Sequence, residues 1–211
     1  MRRLGLVTSF AVLITVTGLA VLASACGHRP PDEPKNYVAD LAAARAAKDA
    51  AFEHDAEPVP DNRKKELLPL AYFAIDPAYA VPAELKLDRA REPVKMPTST
   101  GQVRDMRRVG RLEFTLKEQH FALTAFIEAG ATDVNRLFVP FTDLTTGTET
   151  YAAGRYLDLD RSVSGVYVVD FNRAYHPFCY FSPTYDCPFP PAENRLKIPI
   201  RAGEKLKAPA R

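Results

Sequence analysis

Apolar and polar positions follow two different periods along this chain, and the change between them divides it. Over residues 36–55 the run NYVADLAAARAAKDAAFEHD places Tyr37, Leu41, Ala44 and Phe52 at helical spacing, which predicts one amphipathic helix. A second, shorter helix is expected to start at Asp61, whose carboxylate is placed to cap the turn carrying Lys64, Lys65 and Glu66, with Leu67 and Leu68 facing inward. Pro69 ends or kinks it. Beyond Asp76 and Pro77 the pattern alternates between apolar and polar, broken by Gly and Pro, as half-buried strands require. Strands are expected over residues 80–87, 103–109, 111–116, 121–128, 137–140, 154–157, 166–171 and 196–200. The segment RLEFTLKEQHFALTAFIEAG reads as a hairpin with residues 117–120 as its polar turn. Consecutive strands joined by short turns predict an α+β, β-rich fold: a mainly antiparallel sheet curled into a roll or partial barrel, with one or two N-terminal helices.

Ahead of the first helix the chain reads Met1, Arg2 and Arg3, stays apolar and uncharged from Leu4 to Leu22, and continues Ala23, Ser24, Ala25, Cys26. Basic, then apolar, then small residues are the order of a secretion signal with its cleavage site. The cysteine directly after the small residues resembles a lipobox, with Ala23 where that pattern most often has Leu. The resemblance implies cleavage before Cys26, lipidation of its thiol and a membrane as partner through that lipid. A retained membrane helix is the competing reading, since roughly 18 apolar residues span a bilayer; it would be indifferent to the cysteine. Gly27 follows the cysteine in place of Asp, which implies the outer membrane where the host has one and otherwise the outer face of the cytoplasmic membrane. The expected organisation is a leader over 1–25, a lipidated tether over 26–36, a single globular domain over 37–205 and a disordered tail over 206–211. Removing 25 of the 211 residues leaves 186, enough for one ordinary core.

The net charge is +2, and two of the arginines leave with the leader. The mature chain is therefore near neutral and has no footing for nucleic-acid binding by phosphate neutralisation. Of three cysteines, lipidation takes Cys26 and leaves Cys179 and Cys187 for an oxidising compartment, where they are expected to form a disulfide fixing the Pro-rich turn between them. His28, His54, His120 and His176 fall in different elements, without the close spacing of a zinc site. Asp158, Asp160 and Ser162 imitate a calcium loop, but Val163 stands where its turn needs Gly and no Glu closes it. No metal and no cofactor is expected. The G-x-S-x-G, G-x-x-x-x-G-K and H-E-x-x-H patterns are all absent from the sequence.

Three dense segments occupy the C-terminal half: FTDLTTGTETYAAGRYLDLD from Phe141, DFNRAYHPFCYF from Asp170 and CPFPPAENRLKIPIRAGEK from Cys187. With MPTSTG from Met96, they resemble the bacterial family called domain of unknown function 1684, and the likeness runs from about Lys48 to Lys205. That resemblance implies a domain boundary and no activity. Polar side chains among Gly and aromatics at strand ends suit a small polar pocket, so Arg155, Asp143, Glu149, Asp170, Asn172 and Asn194 are the candidate ligand-binding residues. The plainer reading pairs Arg155 with one of the carboxylates and the asparagines with turn backbone. Aromatics crowd residues 151–189; they suit a sugar-stacking platform or, more simply, a core. The sequence thus points to a membrane-anchored module binding a small polar or anionic ligand of the envelope, with Arg155 as charge anchor. The alternatives are an envelope hydrolase using two carboxylates from Asp143, Glu149, Asp158 and Asp170, and a structural envelope protein. A thiol enzyme built on Cys179, His176 and Asp170 is disfavoured by the expected disulfide, by Pro177, and by the Asn that the resembling family usually carries at His176.

Overall fold

The structure is a computed structural model and describes residues 36–55, 57–90, 93–131, 136–160 and 166–207. The expected leader, the tether up to residue 35 and residues 208–211 of the expected tail lie outside them. Two α-helices come first, α1 (Tyr37–His54) and α2 (Asp61–Leu67). Helix α1 forms where the period placed it, with Leu41 and Phe52 buried. Helix α2 also forms, but Asp61 lies in its first turn and pairs with Lys64 at 2.8 Å instead of capping; Pro60 holds the cap position.

Nine strands follow: β1 (Ala71–Tyr72), β2 (Ala80–Leu87), β3 (Pro93–Pro97), β4 (Val103–Leu116), β5 (Gln119–Glu128), β6 (Arg136–Phe141), β7 (Arg155–Asp160), β8 (Val166–Asp170) and β9 (Glu204–Lys205). Strands β1 and β9 make a short antiparallel ribbon. The other seven form one sheet in the order β7-β6-β5-β4-β2-β8, with β3 beside the first half of β4, and their pairings are antiparallel. Its edges β7 and β8 approach each other, so the sheet is a nearly closed barrel. The expected curled, β-rich α+β fold is the observed one.

Three local expectations change. The segments 103–109 and 111–116 are one strand, because Gly110 does not break it. The register against β5 slips between Arg108 and Gly110, which leaves Val109 as the extra residue of a bulge. There β4 exchanges β3 for β2 as its neighbour, and a Cβ at position 110 would collide with the backbone of Lys86 and Leu87. The hairpin turn is only Lys117 and Glu118, with φ of 49° and 64°, the left-handed pair that matches strand twist. Residues 196–200 are not a strand. They run along the barrel end with Leu196 and Ile200 buried, tied by Leu196 N–H donating to Thr142 O at 2.8 Å.

The main core fills the barrel, with Leu112, Leu123, Val139, Phe141 and Val169 among its fully enclosed members. Strand β5 is buried on both faces: Leu123 and Ala125 point into the barrel, whereas Phe126 packs outside it with Met96 and Met106. The run FALTAFI, apolar but for Thr124, is the sequence mark of such two-sided burial. What covers the outer face is the segment from Tyr175 to Pro190. It is pinned to the turn after β3 by Ser99 N–H to Cys187 O at 2.9 Å, Phe189 N–H to Pro97 O at 2.8 Å, and Cys187 N–H to Ser99 Oγ at 3.0 Å. The disulfide expected to fix the turn between Cys179 and Cys187 is not seen. Cys179 and Cys187 are instead two free, buried thiols, with Cys179 N–H donating to Cys187 Sγ at 3.2 Å.

Strands β5 and β6 share a single Cα pair, Phe126 with Phe138, and Asn194 fills the gap beside it. Its side chain, 0% exposed, accepts from Thr124 N–H at 2.7 Å and donates to Thr124 O at 2.9 Å and Pro140 O at 2.7 Å. Asn194→Ala orphans those backbone groups inside the protein, so it is expected to cost about 2–4 kcal/mol. Urea denaturation checks this through a lowered midpoint at unchanged slope.

Candidate functional site

The six candidate ligand-binding residues do not converge. Arg155 begins β7 on the inner face of the barrel and closes its end, 1% exposed. Its guanidinium donates to Asp143 Oδ2 at 2.9 Å, Ile200 O at 2.7 Å, Glu204 O at 3.1 Å and Ala202 O. Asp143 is equally occupied, since its other oxygen accepts from Thr145 N–H at 2.7 Å and Ile200 N–H at 3.1 Å. Asp170 and Asn172 sit elsewhere, at the end of β8. Asp170 accepts from Tyr37 Oη at 2.8 Å and from Arg173, and Asn172 exchanges hydrogen bonds with the backbone of Asp76, so the pair clamps the start of α1 to the barrel edge. Glu149 faces solvent in a forked pair with Arg201, which holds its carboxyl below the usual range. Asn194 is the rung between β5 and β6.

The other proposed constellations are also apart. His176 Nε2 accepts from Tyr151 N–H at 3.3 Å, while Asp170 belongs to the clamp on α1, so Cys179, His176 and Asp170 form no relay. Burial lowers the His176 pKa to about 3 and keeps the ring neutral. The hydrogen bond shared with Cys187 lowers the Cys179 thiol to about 6 and raises that of Cys187. Among the described residues no group of three His, Cys, Asp or Glu side chains is placed to hold a metal ion. Ser162 lies outside the described residues.

A cavity of about 520 Å³ opens on the outer face of β4 to β7, under the covering segment. Its floor is Met106, Phe138 and Tyr156; its lid is Tyr175, Phe178 and Tyr185. The rings interlock edge to face, Phe138 with Tyr156 at 4.7 Å, Tyr156 with Tyr175 at 5.8 Å, and Phe178 with Tyr185 at 5.3 Å. Two hydroxyls are committed: Tyr156 Oη donates to Pro188 O at 2.5 Å and Tyr175 Oη to Asp158 Oδ2 at 3.0 Å. Burial raises both phenols, so they stay protonated. The charged groups Arg104, Arg136, Glu128, Asp158 and Asp186 also line it. None of the six candidate residues borders this cavity. Asn172 borders a smaller one of about 150 Å³ beneath α1.

The sequence did carry a signal for the cavity. RLFVPF and the aromatics of 151–189 are too apolar for one buried face, and Phe138, Tyr156 and Asp158 share the outer face because the β6–β7 register places Phe138 opposite Asp158 and Pro140 opposite Tyr156. Asp158 borders this cavity and faces solvent; Asp160, two residues on, also faces solvent but lies outside the lining.

Two outcomes are expected from these placements. Arg155→Ala strands the Asp143 carboxylate and three carbonyls, and is expected to lower stability by about 3–5 kcal/mol in chemical denaturation, with Arg155→Lys recovering only part because an ammonium lacks the planar fork. His176, neutral when folded and ordinary when unfolded, takes up its proton preferentially in the unfolded chain. Its contribution is therefore intact above about pH 6.5 and is lost toward pH 3, at up to about 1.4 kcal/mol per pH unit. His176→Asn keeps an acceptor for Tyr151 N–H, and thermal denaturation between pH 7 and pH 4 is expected to show a flatter decline than the parent.

The family model described as protein of unknown function (DUF1684) matches residues 65–205. The chain is also similar to an uncharacterised protein of Haloarcula marismortui whose solution structure was determined by NMR, at 38% identity and a TM-score of 0.65, over 81% of this chain and 95% of that one. No curated protein matches the chain. The residues matched include the strands that floor the cavity, the segment that covers it and the buried arginine with its partners; the chain belongs to the DUF1684 family.

Proposed function

We propose that the protein is a lipid-anchored binding module of the cell envelope whose small ligand occupies the aromatic cavity. The observation that carries this is the cavity itself: about 520 Å³, inside the roughly 300–1,000 Å³ range of small-molecule sites, walled by rings and rimmed by a few charges. The lining changes the ligand first expected. A polar or anionic compound anchored on Arg155 finds that guanidinium enclosed and already donating to four acceptors, whereas the cavity favours a compound with a ring or compact apolar body and one polar end. The hydrolase reading has less support, because Asp143, Glu149 and Asp170 are each committed elsewhere and only Asp158 of those four acids borders the cavity. Anchoring is supported by the basic, apolar and small-residue order that ends at Cys26.

Two measurements test the two halves. Intact-mass spectrometry of protein extracted from membranes is expected to give residues 26–211 plus acyl chains, and Cys26→Ser to abolish the acylation; an uncut, unmodified chain refutes the anchor. In methyl-labelled protein, ring-bearing fragments are expected to shift the Met106 signal and leave Leu123, inside the barrel, unmoved. Responses that avoid Met106 and gather at another surface would refute the cavity.

A further inference from the structure

Resting on the cavity reading, the balance of charge around the rings narrows the ligand class. Two guanidiniums and three carboxylates line the cavity. Both guanidiniums have carboxylates nearer than Asp158. Arg104 donates to Asp186 O at 2.7 Å and lies 3.4 Å from its carboxylate and 3.5 Å from Glu128. Arg136 faces Asp160 across the β6–β7 pair and lies 3.6 Å from it. The third carboxylate, Asp158, makes no ion pair among the described residues; its one side-chain partner is the neutral Tyr175 hydroxyl. The groups facing it are Arg136 and Phe138 from β6, Asp160 from its own strand and Tyr175 from the covering segment.

The neighbouring rings match this charge. Tyr156 and Tyr175 spend their hydroxyls on Pro188 O and Asp158, so toward the cavity they act as rings, together with Phe138 and Phe178. An aromatic face attracts a cation through its quadrupole, most strongly where water is displaced. A carboxylate with no cation in ion-pair contact among the described residues, beside such rings, is the complement of a positive charge carried on a greasy body. We propose that the cavity takes a small organic cation of the amine or quaternary ammonium class, its carbon groups against Phe138, Tyr156 and Tyr175 and its charge at Asp158. Desolvation raises the Asp158 carboxyl, and an arriving cation reverses that cost. Binding therefore weakens as pH falls through the raised pKa.

The test uses the full chain in nanodiscs of neutral lipid, with the Met106 methyl as reporter and three probes: benzyltrimethylammonium, benzyl alcohol and phenylacetate. The cation is expected to saturate the Met106 shift at a concentration at least about fivefold lower than the alcohol, with phenylacetate weakest. Asp158→Asn keeps an acceptor for Tyr175 and is expected to erase the cation's advantage while leaving the alcohol unchanged. Equal or tighter binding of phenylacetate, or an advantage that survives Asp158→Asn, overturns the cation class while leaving the cavity in place. Absence of a saturable Met106 shift with any of the three probes overturns both.

Discussion

Everything at the closed end of the barrel is organised by one buried cation. Arg155 has no exposed surface to speak of, and an unpaired guanidinium there would be prohibitively costly, so the chain must bring four acceptors to it. Three are carbonyls of residues 200–204 and the fourth is Asp143, which in turn binds Thr145 and Ile200 through their amides. A C-terminal segment without regular structure is thereby given a defined path. Following that path, Glu204 reaches Lys48 of α1 at 2.6 Å and the His176 amide at 2.8 Å, so the helix and the covering segment are oriented from the same place.

That arrangement separates two kinds of polar chemistry that look alike in a sequence. Charges on the inner face of the barrel end are enclosed and paired with one another or with backbone carbonyls; they hold the fold together and are shut off from a ligand. Those on the outer face surround an aromatic space, where pairing is looser and one carboxylate hydrogen-bonds, among the described residues, to a neutral hydroxyl. The outer face of β4 to β7 is available because residues 175–190 do not pack flush on it. They are pinned at Ser99 and Pro97 on one side and held through Glu204 on the other, and the span between leaves room beneath the tyrosines.

Much of the architecture was legible from local pattern. Strand β2 and helix α2 begin where their periodicity put them, because alternation and helical spacing are properties of neighbouring residues and need no knowledge of distant ones. The unexpected features involve pairing between segments far apart. Strand β3, bounded by two prolines, is a strand only because β4 lies beside it, and Gly110 continues β4 because β2 needs the space that a Cβ would fill. Residues 196–200 carry strand-like alternation yet satisfy their backbone at the barrel end.

By itself the sequence determined the β-rich class, the two helices, the family likeness and which residues were too polar or too aromatic to be idle. Only the tertiary structure decided which of them have capacity left for another molecule. Composition places Arg155 and Asp158 three residues apart with similar claims to a site, and a period of two sends them to opposite faces of β7: one into the sealed barrel end, the other to the aromatic cavity. Whether a face is sealed or open depends on a segment some twenty residues further along folding back over it, and that is a long-range packing event with no local signature.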